Sequence, residues 1–267
     1  MENTLKEIYH IQKVLKEYGY LDISRISNEI VEYCKNSNTK LDEVLKRIAE
    51  YEPWEYIRGE TEFLNNKFLL NKHTLIPRVE TEQLVSIATK LLTKNNDFKY
   101  VVDVGTGSGC IIISLVKNLC IKNYPKFIGT DINSRALEIA TKNSMLHKVN
   151  EKVSFLKSNL IDNVKITDNS LIIANLPYIP TDIYNKLDKS VIEYEPKIAL
   201  DGGTDGLKYY KELLNQIKVK GLSKYKTTLL IEIEASTLEG LKKLIPKDVQ
   251  VIKDYRGLDR FVLIHLS

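Results

Sequence analysis

Cysteine is scarce in this sequence: Cys34, Cys110 and Cys120 are the only three, and they lie in distant segments. That excludes a disulfide framework and a zinc site built on paired cysteines. Three buried or half-buried thiols are expected, because an unpaired cysteine packs as a small hydrophobe. Histidine is scarce too. His10, His73, His147 and His265 form no pattern with acids or cysteines, so neither a metal nor a histidine base is predicted. No apolar run approaches the roughly 18 residues that a membrane span requires. The opening MENTLKEIYH mixes acids and bases and lacks the apolar core of a secretion signal, which predicts a cytoplasmic protein. There is no internal repeat and no low-complexity tract.

What is present is ordinary for a globular chain, with 43% hydrophobic and 28% charged residues. A length of 267 residues leaves room for two unequal domains. The net charge of +4 divides into −2 over residues 1–75 and +6 over residues 76–267. A mildly basic part suits a polyanionic neighbourhood such as the ribosome or tRNA. Lysines scattered over solvated faces give the same balance, so charge alone does not select a substrate.

The first 50 or so residues read as short amphipathic helices. Thr4-x-x-Glu7 is a capping-box signal, and Ile8, Ile11, Leu15 and Tyr18 follow at helical spacing before Gly19. A second helix from about Ser24 places Ile26, Ile30, Val31 and Cys34 inward. A third, after Thr39, carries Leu41, Val44, Leu45 and Ile48. Such short stripes need one another to be buried, which predicts a small helical bundle. Next, Phe63, Phe68 and Leu70 flank Asn65-Asn66, the chemistry of a hairpin turn. From Tyr100 onward, strands alternate with helices. The predicted strands are Val101–Val104, Phe127–Thr130, Val153–Leu156, Leu171–Ala174, Leu229–Ile233, Val249–Ile252 and Phe261–His265, with helices such as Ser134–Leu146 and Lys208–Ile217 between them. This alternation predicts an α/β, Rossmann-like doubly wound sheet.

Two motifs carry chemistry. The loop Gly105-Thr106-Gly107-Ser108-Gly109 follows the first of these strands and Asp103, and a second acid, Asp131, closes the next strand. Glycines let the backbone turn sharply and approach a ligand, and the following helix presents free N–H groups. An acid at the end of the second strand is placed to accept ribose hydroxyls, so the pair points to an adenosine-containing ligand. The second motif, Asn175-Leu176-Pro177-Tyr178, ends the fourth strand and should face the same crevice. These residue types suit a flat NH₂ group. The Asn175 carbonyl accepts one N–H, a main-chain carbonyl near Pro177 accepts the other, and the Tyr178 ring stacks on the plane.

Together these motifs resemble the class I methyltransferases that modify exocyclic or amide nitrogens. Within that class the chain is similar to the bacterial release factor glutamine methyltransferases along nearly its whole length. The similarity runs through Glu52-x-Trp54-x-Tyr56-Ile57-x-Gly59 and Phe63, then Leu75-Ile-Pro-Arg78-Val-Glu80-Thr-Glu82, and on to Glu195-Pro196 and Gly202-Gly203-x-Asp205-Gly206-Leu207. The resemblance implies S-adenosyl-L-methionine as the cofactor, with Gly105 to Gly109 around its methionine part and Asp131 on the ribose. It implies that Asn175, Pro177 and Tyr178 hold the target amide, with Leu176 lining the same subsite. The implied reaction is N5-methylation of the glutamine in the Gly-Gly-Gln loop of peptide chain release factors. The implied organisation is a helical substrate-recognition domain over 1–60, a hairpin and linker over 61–82, and a catalytic domain over 83–267. A monomer without sequence-specific nucleic-acid binding is expected.

Three positions depart from the family pattern. Leu176 stands where a proline is usual, Glu234 where a glycine is usual, and Asn159 where an aspartate is frequent. Asn-Leu-Pro-Tyr also resembles the ribosomal RNA adenine dimethylases, which lack the Leu75–Glu82 string. An adenine N6-methyltransferase, a ribosomal-protein glutamine substrate and a non-catalytic donor-binding module therefore remain as alternatives. Arg78 and Glu80 are read as shaping the donor pocket or as pairing with each other.

Overall fold

The computed structural model describes residues 2–95, 97–121, 123–245 and 249–266. Four helices come first: α1 (Glu2–Glu17), α2 (Ile23–Ser37), α3 (Leu41–Ala49) and α4 (Trp54–Arg58). Helix α1 is already under way at Thr4, so Thr4-x-x-Glu7 does not mark its start, and the Thr4 side chain lies outside the described residues. Beyond α1 the Tyr20 amide donates back to the Leu15 carbonyl at 3.0 Å, which closes the helix end beside Gly19. The apolar stripes meet as the spacing predicts. Ile11, Leu15, Ile26, Ile30, Val44, Leu45 and Ile48 form one core with Trp54 and Ile57. Trp54 is sealed from solvent, yet its indole N–H has a partner, the Glu29 carboxylate at 2.8 Å. Arg58 reaches the same oxygen at 2.7 Å.

A hairpin of β1 (Glu60–Phe63) and β2 (Asn66–Leu69) follows. Its turn is Leu64-Asn65, both at positive φ, one residue before the predicted Asn65-Asn66; Asn66 instead pairs with Phe63 in the ladder. One tertiary and one local hydrogen bond account for the shift. Glu82 accepts the Leu64 amide at 2.7 Å, and Asn66 Nδ2 donates to the Leu64 carbonyl at 2.6 Å. The buried Asn143 amide brackets Leu69, accepting from its N–H at 2.8 Å and donating to its carbonyl at 3.0 Å. Phe63 and Phe68 thereby join the core of the large sheet, not that of the helices.

The sheet has seven strands: β3 (Tyr100–Val104), β4 (Lys126–Asp131), β5 (Val153–Lys157), β6 (Ser170–Ala174), β7 (Thr227–Glu232), β8 (Gln250–Lys253) and β9 (Asp259–Leu266). Their order is β5-β4-β3-β6-β7-β9-β8. The five from β5 to β7 run parallel, and β9 and β8 add an antiparallel edge. Helices α5 (Val79–Lys94), α6 (Cys110–Asn118) and α7 (Ser134–Leu146) precede the short α8 (Thr181–Tyr184) and α9 (Lys189–Tyr194), and α10 (Lys208–Val219) and α11 (Leu238–Lys242) follow. Apolar side chains from α5 and α6 pack on one face, and those of α10 and α11 on the other. Central strands are buried on both faces, which is why they read as unbroken apolar runs. Helix α5 begins at Val79, inside the stretch read from sequence as linker. Of the cysteines, Cys110 is buried and Cys34 half-buried, but Cys120 is exposed, against expectation, because it lies just beyond the end of α6. The winding reverses between β3 and β6, and a crevice opens there, beyond the carboxyl ends of the strands.

Trp54→Ala should cost about 3–5 kcal/mol by cavity formation, with the Glu29 carboxylate losing a donor as well. Urea denaturation followed by circular dichroism measures it. A loss below about 1 kcal/mol would mean that the helices do not form a packed core.

Candidate active site

The crevice is built from the sheet outward. Where β3 ends, Gly105 has a φ of +73, and a Cβ there would sit 3.2 Å from the Leu176 side chain. The loop is tied down behind it. The Thr106 amide donates to the Thr130 carbonyl at 2.8 Å. The Thr106 hydroxyl turns inward and donates to Asp103 at 2.6 Å. Asp131, at the end of β4, accepts the Gly107 amide at 3.0 Å and the Asn133 amide at 2.8 Å, one on each oxygen. Burial raises its pKa, and those backbone bonds offset only part of the rise. A carboxylate oxygen has more than one lone pair, so Asp131 keeps acceptor capacity toward the crevice.

Gly105, Gly107, Asp131, Asn175, Leu176 and Pro177 all border this crevice. Thr106 and Ser108 are buried beneath the loop, and Gly109 packs against Ile113 and Ala140, so these three lie behind the lining. Ile132, Leu160 and Tyr209 add an apolar wall that sequence reading did not single out. Asn159 borders the crevice, with its side-chain amide donating to the Glu212 carboxylate.

A second, smaller pocket lies alongside, bordered by Arg78, Tyr178, Ile179 and Leu200. The two share Leu75, Asn175, Leu176 and Ala199 as a common wall. Tyr178 borders only the second. Asn175 Nδ2 donates to Thr81 Oγ1 at 3.0 Å, which leaves the Asn175 carbonyl oxygen free as an acceptor. The Pro177 carbonyl accepts no hydrogen bond among the described residues.

The Asn175–Tyr178 segment is braced from several sides. The Tyr210 hydroxyl accepts the Leu176 amide at 3.3 Å and also meets the Glu232 carbonyl. Gly206, at a φ of +70, lies directly against the Tyr178 carbonyl, where any side chain would collide. This is the structural reason for the Gly202–Leu207 string. The Leu75–Glu82 string is a strut. Arg78 pairs with Glu195 at 2.6 Å, Glu80 with Arg256, Thr81 with Asn175 and Glu82 with the hairpin. Arg78 and Glu80 therefore do not pair with each other. Glu234 is held by Arg260 at 3.1 Å, so the extra acid is partly neutralised. No group of three or more histidine, cysteine or acidic side chains is arranged to hold a metal among the described residues, and no helix there is long and apolar enough to cross a membrane.

Asp103 and Glu232 sit behind the lining, both fully buried. Burial pushes each up to about 7, against the pull of the Thr106 hydrogen bond on Asp103 and of the neighbouring Thr81 and Arg260 on Glu232. For Asp103 the ordinary value is 3.8. A raised carboxylate binds its proton more tightly folded than unfolded, so its destabilising effect is absent at low pH, grows above 3.8 and is complete above about 7. Asp103→Asn keeps an acceptor for Thr106 and removes the titration. It should melt higher than the unaltered protein at pH 8, with the difference shrinking by pH 5. Thermal melts at the two pH values measure this, and a difference that does not change with pH would contradict it.

The Methyltransferase small domain family matches residues 77–193, a span holding the strut from Pro77 onward, the glycine loop and Asn175–Tyr178. The release factor glutamine methyltransferase of Flavobacterium psychrophilum is 35% identical over 97% of this chain and 92% of its own length. That of Thermodesulfovibrio yellowstonii is 30% identical over 97% of this chain and 90% of its own. Among solved structures, the hMettl16 catalytic domain shares the fold, with a TM-score of 0.56 at 15% identity over 80% of this chain and 89% of that one. The sheet is that of a class I methyltransferase, an enzyme class whose methyl donor is S-adenosyl-L-methionine. With relatives this similar along almost its full length, the chain belongs to the release factor glutamine methyltransferase family.

Proposed function

We propose that this enzyme methylates N5 of the glutamine in the Gly-Gly-Gln loop of peptide chain release factors. The observation that carries the reading is Asn175 in the wall shared by two pockets, with its carbonyl oxygen free. The larger crevice takes the donor. The residues present suit it: Asp131 for the ribose hydroxyls, Gly105 and Gly107 for close backbone approach, and Ile132 and Leu160 for the adenine. S-adenosyl-L-methionine supplies a methyl carbon made electrophilic by its sulfonium. The smaller pocket takes the glutamine side chain. Asn175 Oδ1 accepts one amide N–H, the Pro177 carbonyl the other, and Tyr178 packs on the plane. Held by both N–H groups, the nitrogen faces the methyl carbon. The N–C bond forms as the S–C bond breaks, and the amide proton leaves to solvent. The helices over 1–60 choose the protein substrate, and residues 61–82 connect them to the catalytic domain over 83–267.

Two substitutions test the assignment. Asp131→Ala removes a charge-assisted acceptor worth about 1.5–3 kcal/mol and should weaken donor binding about tenfold or more. Calorimetric titration measures it, and unchanged affinity removes Asp131 from the site. Asn175→Ala should slow single-turnover methyl transfer to a release factor about a hundredfold at saturating donor, with donor affinity little changed. Labelled donor offered with release factor or with RNA reads the substrate class directly. Label on RNA adenine instead of release factor would overturn the proposal.

A further inference from the structure

The catalytic amide has two ends, and only one orientation is useful. A target NH₂ needs an acceptor, so Asn175 must present oxygen to it and turn nitrogen away. An asparagine in open solvent has no such preference, because its amide flips by rotation of one sp² torsion. Here the nitrogen is committed to Thr81 Oγ1 at 3.0 Å. Thr81 sits in the first turn of α5 and is buried, so its single hydroxyl proton must be donated elsewhere. Glu232 is the acceptor next to it, at the end of β7 and buried.

The sheet sets this placement. β6 and β7 pair in parallel, with Ala174 beside Ile231, so Asn175 and Glu232 each come next on neighbouring strands. Side chains alternate along β7. Glu232 therefore points to the same face as Leu230, the face that α5 covers. The Tyr178 side chain lies near the same carboxylate. One oxygen of Glu232 is buried and has no hydrogen-bond partner among the described residues, which leaves an acceptor open to the Thr81 hydroxyl.

We propose that Thr81 and Glu232 are positioning residues, which act through hydrogen bonds to fix Asn175 with its carbonyl oxygen toward the target amide. Thr81 accepts from Asn175 and donates to Glu232, so the chain has one direction and cannot reverse while Glu232 stays an acceptor. Neither residue borders the donor crevice or the smaller pocket.

The inference rests on the role proposed for Asn175, and a double-mutant cycle separates the two. Full-length protein, a release factor with its Gly-Gly-Gln loop and saturating labelled donor are used in single turnover. Asn175→Ala, Thr81→Val and the pair are compared. Thr81→Val should lower the rate about tenfold, leave donor affinity from calorimetry unchanged, and add nothing on top of Asn175→Ala. Thr81→Ser, which keeps the hydroxyl, should restore most of the rate. Full activity of Asn175→Ala sinks the site reading itself. If Asn175→Ala is slow but Thr81→Val is fast, or the two losses multiply, only the positioning role is overturned. Should Thr81→Val fail to fold, Glu232→Gln enters the same cycle. Its amide can donate to Thr81 and reverse the chain, so it must also slow transfer without added loss in the Asn175→Ala background; a rate like that of the unaltered enzyme overturns the proposal.

Discussion

Glu195 is nearly sealed from solvent, with its side chain 2% exposed, and a buried carboxylate must be paired. Its partner is Arg78 at 2.6 Å, and the Ile76 amide donates to its other oxygen at 3.3 Å. This places the chain just before α5 against the segment just after α9, two stretches far apart in sequence. The direction in which α5 leaves the sheet edge depends on that anchor, and Thr81 lies within its first turn. On the other side, Tyr194 of α9 donates to the Glu50 carbonyl at 2.8 Å, so the contact continues into the helical part. Removing Arg78 would strand the buried Glu195 charge, which typically costs about 3–5 kcal/mol. The ion pair is thus a registration device: it fixes spacing in the smaller pocket, which Arg78 borders.

The pocket walls are polar backbone outside regular structure, and such groups are costly to bury without partners. After β6 the Leu176 amide has Tyr210, Ile179 donates to the Leu200 carbonyl at 3.0 Å, and Gly202 donates to the Ile179 carbonyl at 2.8 Å. Among the described residues the Asn175 side-chain oxygen accepts no hydrogen bond, and neither do the carbonyls of Pro177 and Tyr178, which lie against Gly202 and Gly206. A rigid frame with unspent acceptors suits a planar NH₂ group, since orientation can supply much of the rate of a bimolecular transfer. These acceptors are also uncharged, so under the role proposed for them an amide nitrogen need not be deprotonated to bind.

Much of this was legible in the sequence for a simple reason. Helical and strand periods differ, and both are strong where one face or both faces are buried. The stripe Val44, Leu45, Ile48 and the run Leu171–Ala174 each have one reading. The glycine loop with Asp131 was legible because no other residues permit that backbone or that acceptor. What stayed hidden was set by distant partners. Thr4 gives a cap signal inside the first turn of a helix, because Glu2 and Asn3 before it are already helical. The hairpin turn falls on Leu64 because Glu82 holds its amide. Arg78 and Glu80, two apart on one strut, point to Glu195 and Arg256, partners that no local spacing reveals. Thr81 stands within the Leu75–Glu82 string, but the string does not reveal what its hydroxyl holds, and a glutamate ending a strand, as Glu232 does, is ordinary in isolation.

Leu176 shows how the two sides of the sheet combine at the site. It replaces a proline of the family pattern, which would be expected to loosen the segment by restoring a free φ. Its side chain is 3% exposed and belongs to the core on the α10 face, together with Tyr210. Its neighbour Asn175 is tied to Thr81, beside Leu84 and Val85 in the core on the α5 face. Consecutive residues are therefore anchored in opposite cores, one by packing and one by a hydrogen bond. Rotation of the segment about its axis would have to break both at once. That seam between two close-packed cores supplies the rigidity that a proline ring would otherwise give, and it places the rigidity at the residue where the larger crevice and the smaller pocket meet.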